Sequence, residues 1–275
     1  MKKKVLASLL LSTFVLSVGA TSASATTAPP VKTTGDAGFV KGDKPETTKP
    51  EEGPKDPTVV DPDPDPRPEY GGVYVTHLPN ISFGNDNKTS LNTTEYKAEW
   101  EKRTKNTGAE EFYMPHSVQV ADVSGNAATT WKLTVNQDAP FESADKTAKL
   151  ENSRIRIYGN TFTSSAYSAT DLAGKISGVS LDKKDTATSA AHSVIPVVGD
   201  AETELKVLAD DEAGFTVNSY TNAVFDTGYL EENYTAATTP NAEKYEGIKL
   251  NVPAKDQSQV KVYTTNLTWT LTVEP

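Results

Sequence analysis

The 275-residue chain reads as an all-β protein: an antiparallel β-sandwich or barrel-like domain with long polar loops, preceded by a disordered Pro-rich segment. Three observations carry that expectation. Two stretches, TTWKLTV near the middle and NLTWTLTVEP at the end, alternate apolar and polar residues with the period of a strand. Short β-branched runs recur between Gly, Asn, Asp and Ser turn signals. No long segment has the apolar spacing of a buried helix, so a sandwich or barrel suits the pattern better than an α/β fold.

Met1–Ala25 carries three lysines, an apolar run from Val5 to Val18, and Ala23-Ser24-Ala25 before Thr26. Charge, apolar segment and small residues in that order make a secretory signal peptide; the run is short of the roughly 20 residues a membrane span needs. Residues 26–69 form a Pro, Thr and acidic linker with hardly a bulky apolar side chain, and a segment that cannot bury apolar surface cannot offset the entropy of ordering it. Within it the DPDPDPRP run from Asp61 to Pro68 is biased toward extended, polyproline-like backbone. That run reads as a spacer rather than a calcium loop, which has to fold back around its ion.

The β domain spans residues 70–275. Val73 and Val75 share a strand face ahead of the Gly84-Asn85 turn signal. Thr94–Arg103 fits a strand through Tyr96, Ala98 and Trp100, although its Glu and Lys content also suits a helix. HSVQVADV places Val118 and Val120 on one face, and Ser124-Gly125-Asn126 turns the chain toward the Trp131 strand, an apparent hairpin. Further strands fall near Arg154–Tyr158, Gly174–Leu181, Ser193–Val198, Leu205–Leu208, Phe215–Ser219 and Gly247–Pro253. In the last run Leu267, Trp269, Leu271 and Val273 share one face, as Trp131, Leu133 and Val135 do in the earlier copy.

Charge and composition exclude several functions. The formal net charge of −10 becomes −13 once the three leader lysines are removed, which argues against nucleic acid, whose binding depends on Lys and Arg neutralising phosphates. Cysteine is absent, so an exported chain must rely on its core instead of disulfides. It also has no thiol for a lipid anchor or a cysteine nucleophile. The three histidines, His77, His116 and His192, have no metal-ligand spacing, and no G-x-S-x-G turn is present. The expectation is a non-catalytic protein without cofactor, attached to a surface without a transmembrane anchor.

Trp131-Lys132-Leu133 and Trp269-Thr270-Leu271, about 140 residues apart, together with the closing YTTNLTWTLTVEP, the HLPNISFGN opening and the leader, resemble the WxL-domain cell-surface proteins of Gram-positive bacteria. The resemblance covers about Tyr70 to Pro275. It implies a secreted protein held non-covalently on the peptidoglycan of the cell wall, with companion surface proteins that bind WxL proteins as possible partners. The alternative is a structural or interaction subunit whose main partner is such a companion rather than the wall.

Trp131, Leu133, Trp269 and Leu271 have two readings. An indole face suits the apolar face of a sugar ring, but leucine offers a glycan nothing, whereas burial of about 1.5–3 kcal/mol per large side chain accounts for both residue types on one face. The motif therefore reads as structural core, with binding left to other surfaces. Tyr158, Tyr167, Tyr220, Tyr229, Tyr234 and Tyr245, set among polar loops, offer adaptable contacts, although each also reads as ordinary packing. Asp210-Asp211-Glu212 reads as a charged turn ahead of a calcium site.

Overall fold

The computed structural model describes residues 37–54, 58–61, 67–105, 110–234 and 245–274. The leader 1–25 and residues 62–66 of the Asp-Pro run lie outside them. Of two compact units, Met1–Gly38 and Phe39–Pro275, only the second contains regular structure among the described residues.

Among the described residues every pairing between two strands is antiparallel. One sheet has the order β1 (Glu69–Tyr70), β2 (Val73–His77), β6 (Ser117–Asp122), β15 (Ser219–Val224), β11 (Thr161–Ser164). A second runs β13 (Ser193–Val194), β10 (Arg154–Ile157), β16 (Tyr245–Val252), β3 (Thr94–Ala98). A third, which holds both Trp-x-Leu triplets, runs β12 (Ile176–Gly178), β14 (Leu205–Asp210), β7 (Thr130–Gln137), β18 (Leu267–Glu274). Two small sheets complete the set: β17 (Tyr263–Thr264), β8 (Phe141–Ser143), β9 (Lys149–Leu150); and β4 (Glu101–Thr104) with β5 (Glu111–Met114). Helix is confined to short pieces such as α1 (Ala169–Leu172). The inward faces of the three larger sheets meet in one apolar core that includes Val73, Val120, Leu133, Ile157, Val207, Phe225 and Ile248.

The ambiguous Thr94–Arg103 stretch is strand, split into β3 and β4. The apparent hairpin is not one. β6 pairs with β2 and β15, while β7 pairs with β14 and β18, so residues 123–129 carry the chain from one sheet to the next. Seven residues are too many for a two-residue hairpin turn. Asp122 fixes the departure by accepting from the Ser124 amide at 2.9 Å and hydroxyl at 2.6 Å, and Gly125 takes the positive φ of +65° that the bend requires. Near Phe215–Ser219 the strand begins four residues late, at Ser219, because residues 215–218 form the turn that brings Thr216 under β7.

Part of the 26–69 stretch, read as disordered linker, is docked on the domain. Thr47, Thr48, Lys49, Glu51 and Val60 are buried, and Thr48 bridges Val59 as Val60 bridges Lys105. What holds this arm is polar. The Gln119 carboxamide accepts from the Thr48 amide at 2.9 Å and donates to the Thr48 carbonyl at 2.9 Å, and it also donates to Asn222 Oδ1 at 2.7 Å. Tyr220 and Tyr229 hydroxyls donate to the carbonyls of Glu46 and Pro50 at 3.0 and 2.8 Å. A segment with few apolar side chains is thus ordered through its main chain, by partners far away in sequence.

Candidate functional site

Strands β7 and β18 pair over eight residues. Trp131 lies opposite Val273, Leu133 opposite Leu271, and Val135 opposite Trp269. Directly opposed residues of an antiparallel pair share a sheet face, so both triplets point to the same side. Their environments differ because β7 is central and β18 is the sheet edge. Trp131 and Leu133 are buried, at 2 % and 0 % exposure, whereas Trp269 and Leu271 are half-buried and packed against the rim of the core.

Trp131 is also tied by its polar atom. Its Nε1–H donates to Thr216 Oγ1 at 2.9 Å, and that hydroxyl donates to Asp210 Oδ2 at 2.8 Å, with Asp122 Oδ2 3.3 Å away. Burial pushes the Asp210 carboxyl above its ordinary range and the nearby Asp122 charge adds to this, against the hydrogen bonds from Thr216 and Glu212. Asp210 therefore belongs to the interior support of the motif. Among the described residues no group of acidic, His or Cys side chains is placed to hold a metal ion.

Trp269 lines a groove of about 1160 Å³. One wall is the 79–89 segment between β2 and β3, the other is residues 259–267 leading into β18, and Phe141, Leu150, Ile155, Leu250 and Val252 form the floor. The wall is stiffened from within. Phe83 meets Phe141 edge-on at 6.4 Å, Asn87 donates to the carbonyls of Phe83 and Gly84 at 3.0 and 3.1 Å, and the Tyr96 hydroxyl donates to the Lys88 carbonyl at 2.7 Å. Gln257 clamps the base, accepting from the Ser90 amide at 2.7 Å and donating to the carbonyls of Asn92 and Val252, each at 3.0 Å. Asp256 accepts from the Asn152 amide and the Ser153 hydroxyl, both at 2.8 Å.

The groove offers aromatic faces (Trp269, Tyr96, Tyr263), a rim of exposed apolar side chains (Val260 at 93 %, Val262 at 57 %) and a set of amides (Asn80, Asn85, Gln259, Asn266). Its charged lining residues are Lys88, Lys261, Asp138 and Asp256, two of each sign, so it is a neutral patch on an acidic chain. Aromatic faces with amide and hydroxyl groups suit an uncharged, hydroxyl-rich ligand. The volume exceeds the ~300–1,000 Å³ of small-molecule sites, which suits an oligomer.

None of the six tyrosines singled out from the sequence lines this groove; Tyr96 and Tyr263 do. Tyr229 and Tyr245 are buried, the latter donating to the Phe225 carbonyl. Tyr220 holds the arm, and Tyr234 stacks on Tyr229 at 5.3 Å. Tyr167 stacks on Phe215 at 4.3 Å, and Tyr158 packs beside His192 at 5.3 Å. Two of the histidines converge in space without a sequence signature. His77 Nε2 lies 2.9 Å from Glu101 Oε1 and His116 Nδ1 lies 3.6 Å from Glu101 Oε2. Arg103 reaches His77 Nδ1 at 2.9 Å and the Asp61 carbonyl at 2.6 Å. This buried cluster fastens the arm to β4 and lies outside the groove lining.

A family model described as "WxL domain surface cell wall-binding" matches residues 25–275. No curated protein and no solved structure matches the chain. With both triplets paired in one sheet and the match running over nearly the whole length, the chain belongs to the WxL domain family of surface cell wall-binding proteins.

Proposed function

We propose that this protein is exported from a Gram-positive cell and binds the peptidoglycan of the wall non-covalently through the groove between residues 79–89 and 259–267. The observation that carries the reading is the placement of Trp269, the half-buried member of the family motif, in a neutral groove with amide and hydroxyl groups around it. The wall's anionic polymers repel a chain of net charge −13 without its leader lysines at long range, and salt screens that repulsion beyond about 8–10 Å. A neutral contact surface avoids it at short range.

Sedimentation of the mature chain with protein-free peptidoglycan tests this. Binding that survives removal of every other protein, and drops for a Trp269→Ala variant that stays folded, is the expected result. No sedimentation without a companion surface protein would favour a second reading, in which the exposed apolar rim at Val260 and Val262 meets a protein partner.

A further inference from the structure

The two triplets sit in near-identical hexapeptides, Thr130–Val135 and Thr268–Val273, which differ only by Lys132 in place of Thr270. The fold pairs one against the other, Trp over Val and Leu over Leu. The hexapeptide is therefore complementary to an antiparallel copy of itself, and β18 keeps one edge beyond which no strand pairs among the described residues; β1 approaches β18 without pairing to it. Backbone direction identifies the groups at that edge. The Asn266 carbonyl accepts from the Asp138 amide at 3.0 Å, and the Thr270 carbonyl lies 3.5 Å from Thr134 Oγ1, so both face β7. The alternate residues Leu267, Trp269, Leu271 and Val273 turn their N–H and C=O groups the other way. Edge strands are ordinarily blunted by charge, proline or a bulge. Residues 267–273 carry no charge and no proline, and the β18 register with β7 runs without interruption.

We propose that the free edge of β18 is the site at which a second copy of this chain docks, β18 against β18, joining two four-stranded sheets across a two-fold axis at Leu271. The register repeats the one already present within the chain: Trp269 of one copy lies over Val273 of the other, Thr270 over Thr272, and the lone charge of the strand, Glu274, over Thr268. No like charges meet, and the two-fold makes the contact closed and self-limiting. The dimer carries two copies of the groove that Trp269 lines.

The register supplies its own test at Thr268, whose exposed hydroxyl donates to Asp138 of the same chain, so both variants are made and compared in an Asp138→Asn background. Thr268→Glu sets a carboxylate opposite Glu274 at two symmetric places, and Thr268→Lys sets an ammonium there. Each cross-strand charge pair shifts the association constant modestly, so analytical ultracentrifugation of the secreted full chain is expected to show a dimer whose Kd rises about two- to thirty-fold for Thr268→Glu and falls by a similar factor for Thr268→Lys. Both shifts shrink in high salt. A chain that stays monomeric up to about 1 mM, or a dimer indifferent to the sign of the charge at position 268, overturns the proposal.

Discussion

Leu133 and Leu271 face each other across β7 and β18, and the two Trp-x-Leu triplets are arranged about that pair with the symmetry of a two-fold axis. The symmetry is broken by burial. Trp131 is enclosed and hydrogen-bonded, whereas Trp269 is left half-open at the sheet edge. One copy of the motif builds the core and the other reaches the surface.

Trp131→Ala is expected to cost about 3–5 kcal/mol of stability, as for large-to-small changes in a packed core. Trp131→Phe, which keeps most of the ring but removes the donor to Thr216, is expected to cost about 1 kcal/mol. Trp269→Ala is expected to cost about 1–2 kcal/mol, a share of the value for complete burial, and to lower wall retention, which Trp131→Phe leaves intact. Denaturant unfolding and wall sedimentation on the three variants separate the two roles.

Gln119→Leu keeps the approximate volume and deletes the clasp. The Thr48 amide and carbonyl and Asn222 Oδ1 then lose their partner, at about 1–3 kcal/mol for each group left dry, and the arm is expected to lift so that water reaches them. Hydrogen exchange is expected to speed up at the Thr48 and Val60 amides while the β7 amides stay protected.

Burial alone raises the Glu101 carboxyl, but the charges of His77 and His116 and the close contact with His77 outweigh it and hold the group well below the ordinary carboxylate range. An acid whose folded pKa is depressed adds stability above its unfolded value, 4.5 here, and loses it as pH falls through the folded value. The wild-type chain is therefore expected to weaken progressively below about pH 4.5. Glu101→Gln is expected to cost about 3–5 kcal/mol at neutral pH, because it removes the one carboxylate that faces His77, His116 and Arg103 in this buried cluster, and to lose this part of the acid dependence. Chemical unfolding from pH 3 to 7 checks both.

Val260→Asp with Val262→Asp places two carboxylates on the neutral rim. Both side chains are exposed, so stability is expected to change by no more than about 0.5 kcal/mol. Retention on anionic walls is expected to fall, with partial recovery as salt is added. Full retention at low salt would move the contact away from this groove.

Legibility from the sequence followed the physical origin of each feature. The strands β7, β18 and β16 were readable because alternation is written locally. The groove was not readable: its walls come from residues 79–89 and 259–267 and its floor from Phe141, Leu150 and Leu250, and no local pattern records which loops converge. The docked arm was hidden for a different reason. Its composition is that of a spacer, and the group that orders it, Gln119, is 71 residues away. Only a glutamine on the second face of a strand whose first face carries Val118 and Val120 hints that both faces are covered. Ser124-Gly125-Asn126 signalled a bend correctly, but a bend does not specify which strand pairs with which.

The docking of residues 46–52 by their main chain has a mechanical side. Tension entering the domain from its amino-terminal side meets the Gly42 amide's bond to the Val123 carbonyl and then the bonds from Tyr220, Gln119, Tyr229 and the carboxylate of Glu231 to successive backbone groups. A pull on the arm is therefore expected to load these bonds ahead of the sheets, and its tethering strength is shared between four residues of the body and the arm's own Thr47 and Lys49, which donate to the carbonyls of Thr76 and Glu231 at 2.6 and 3.0 Å.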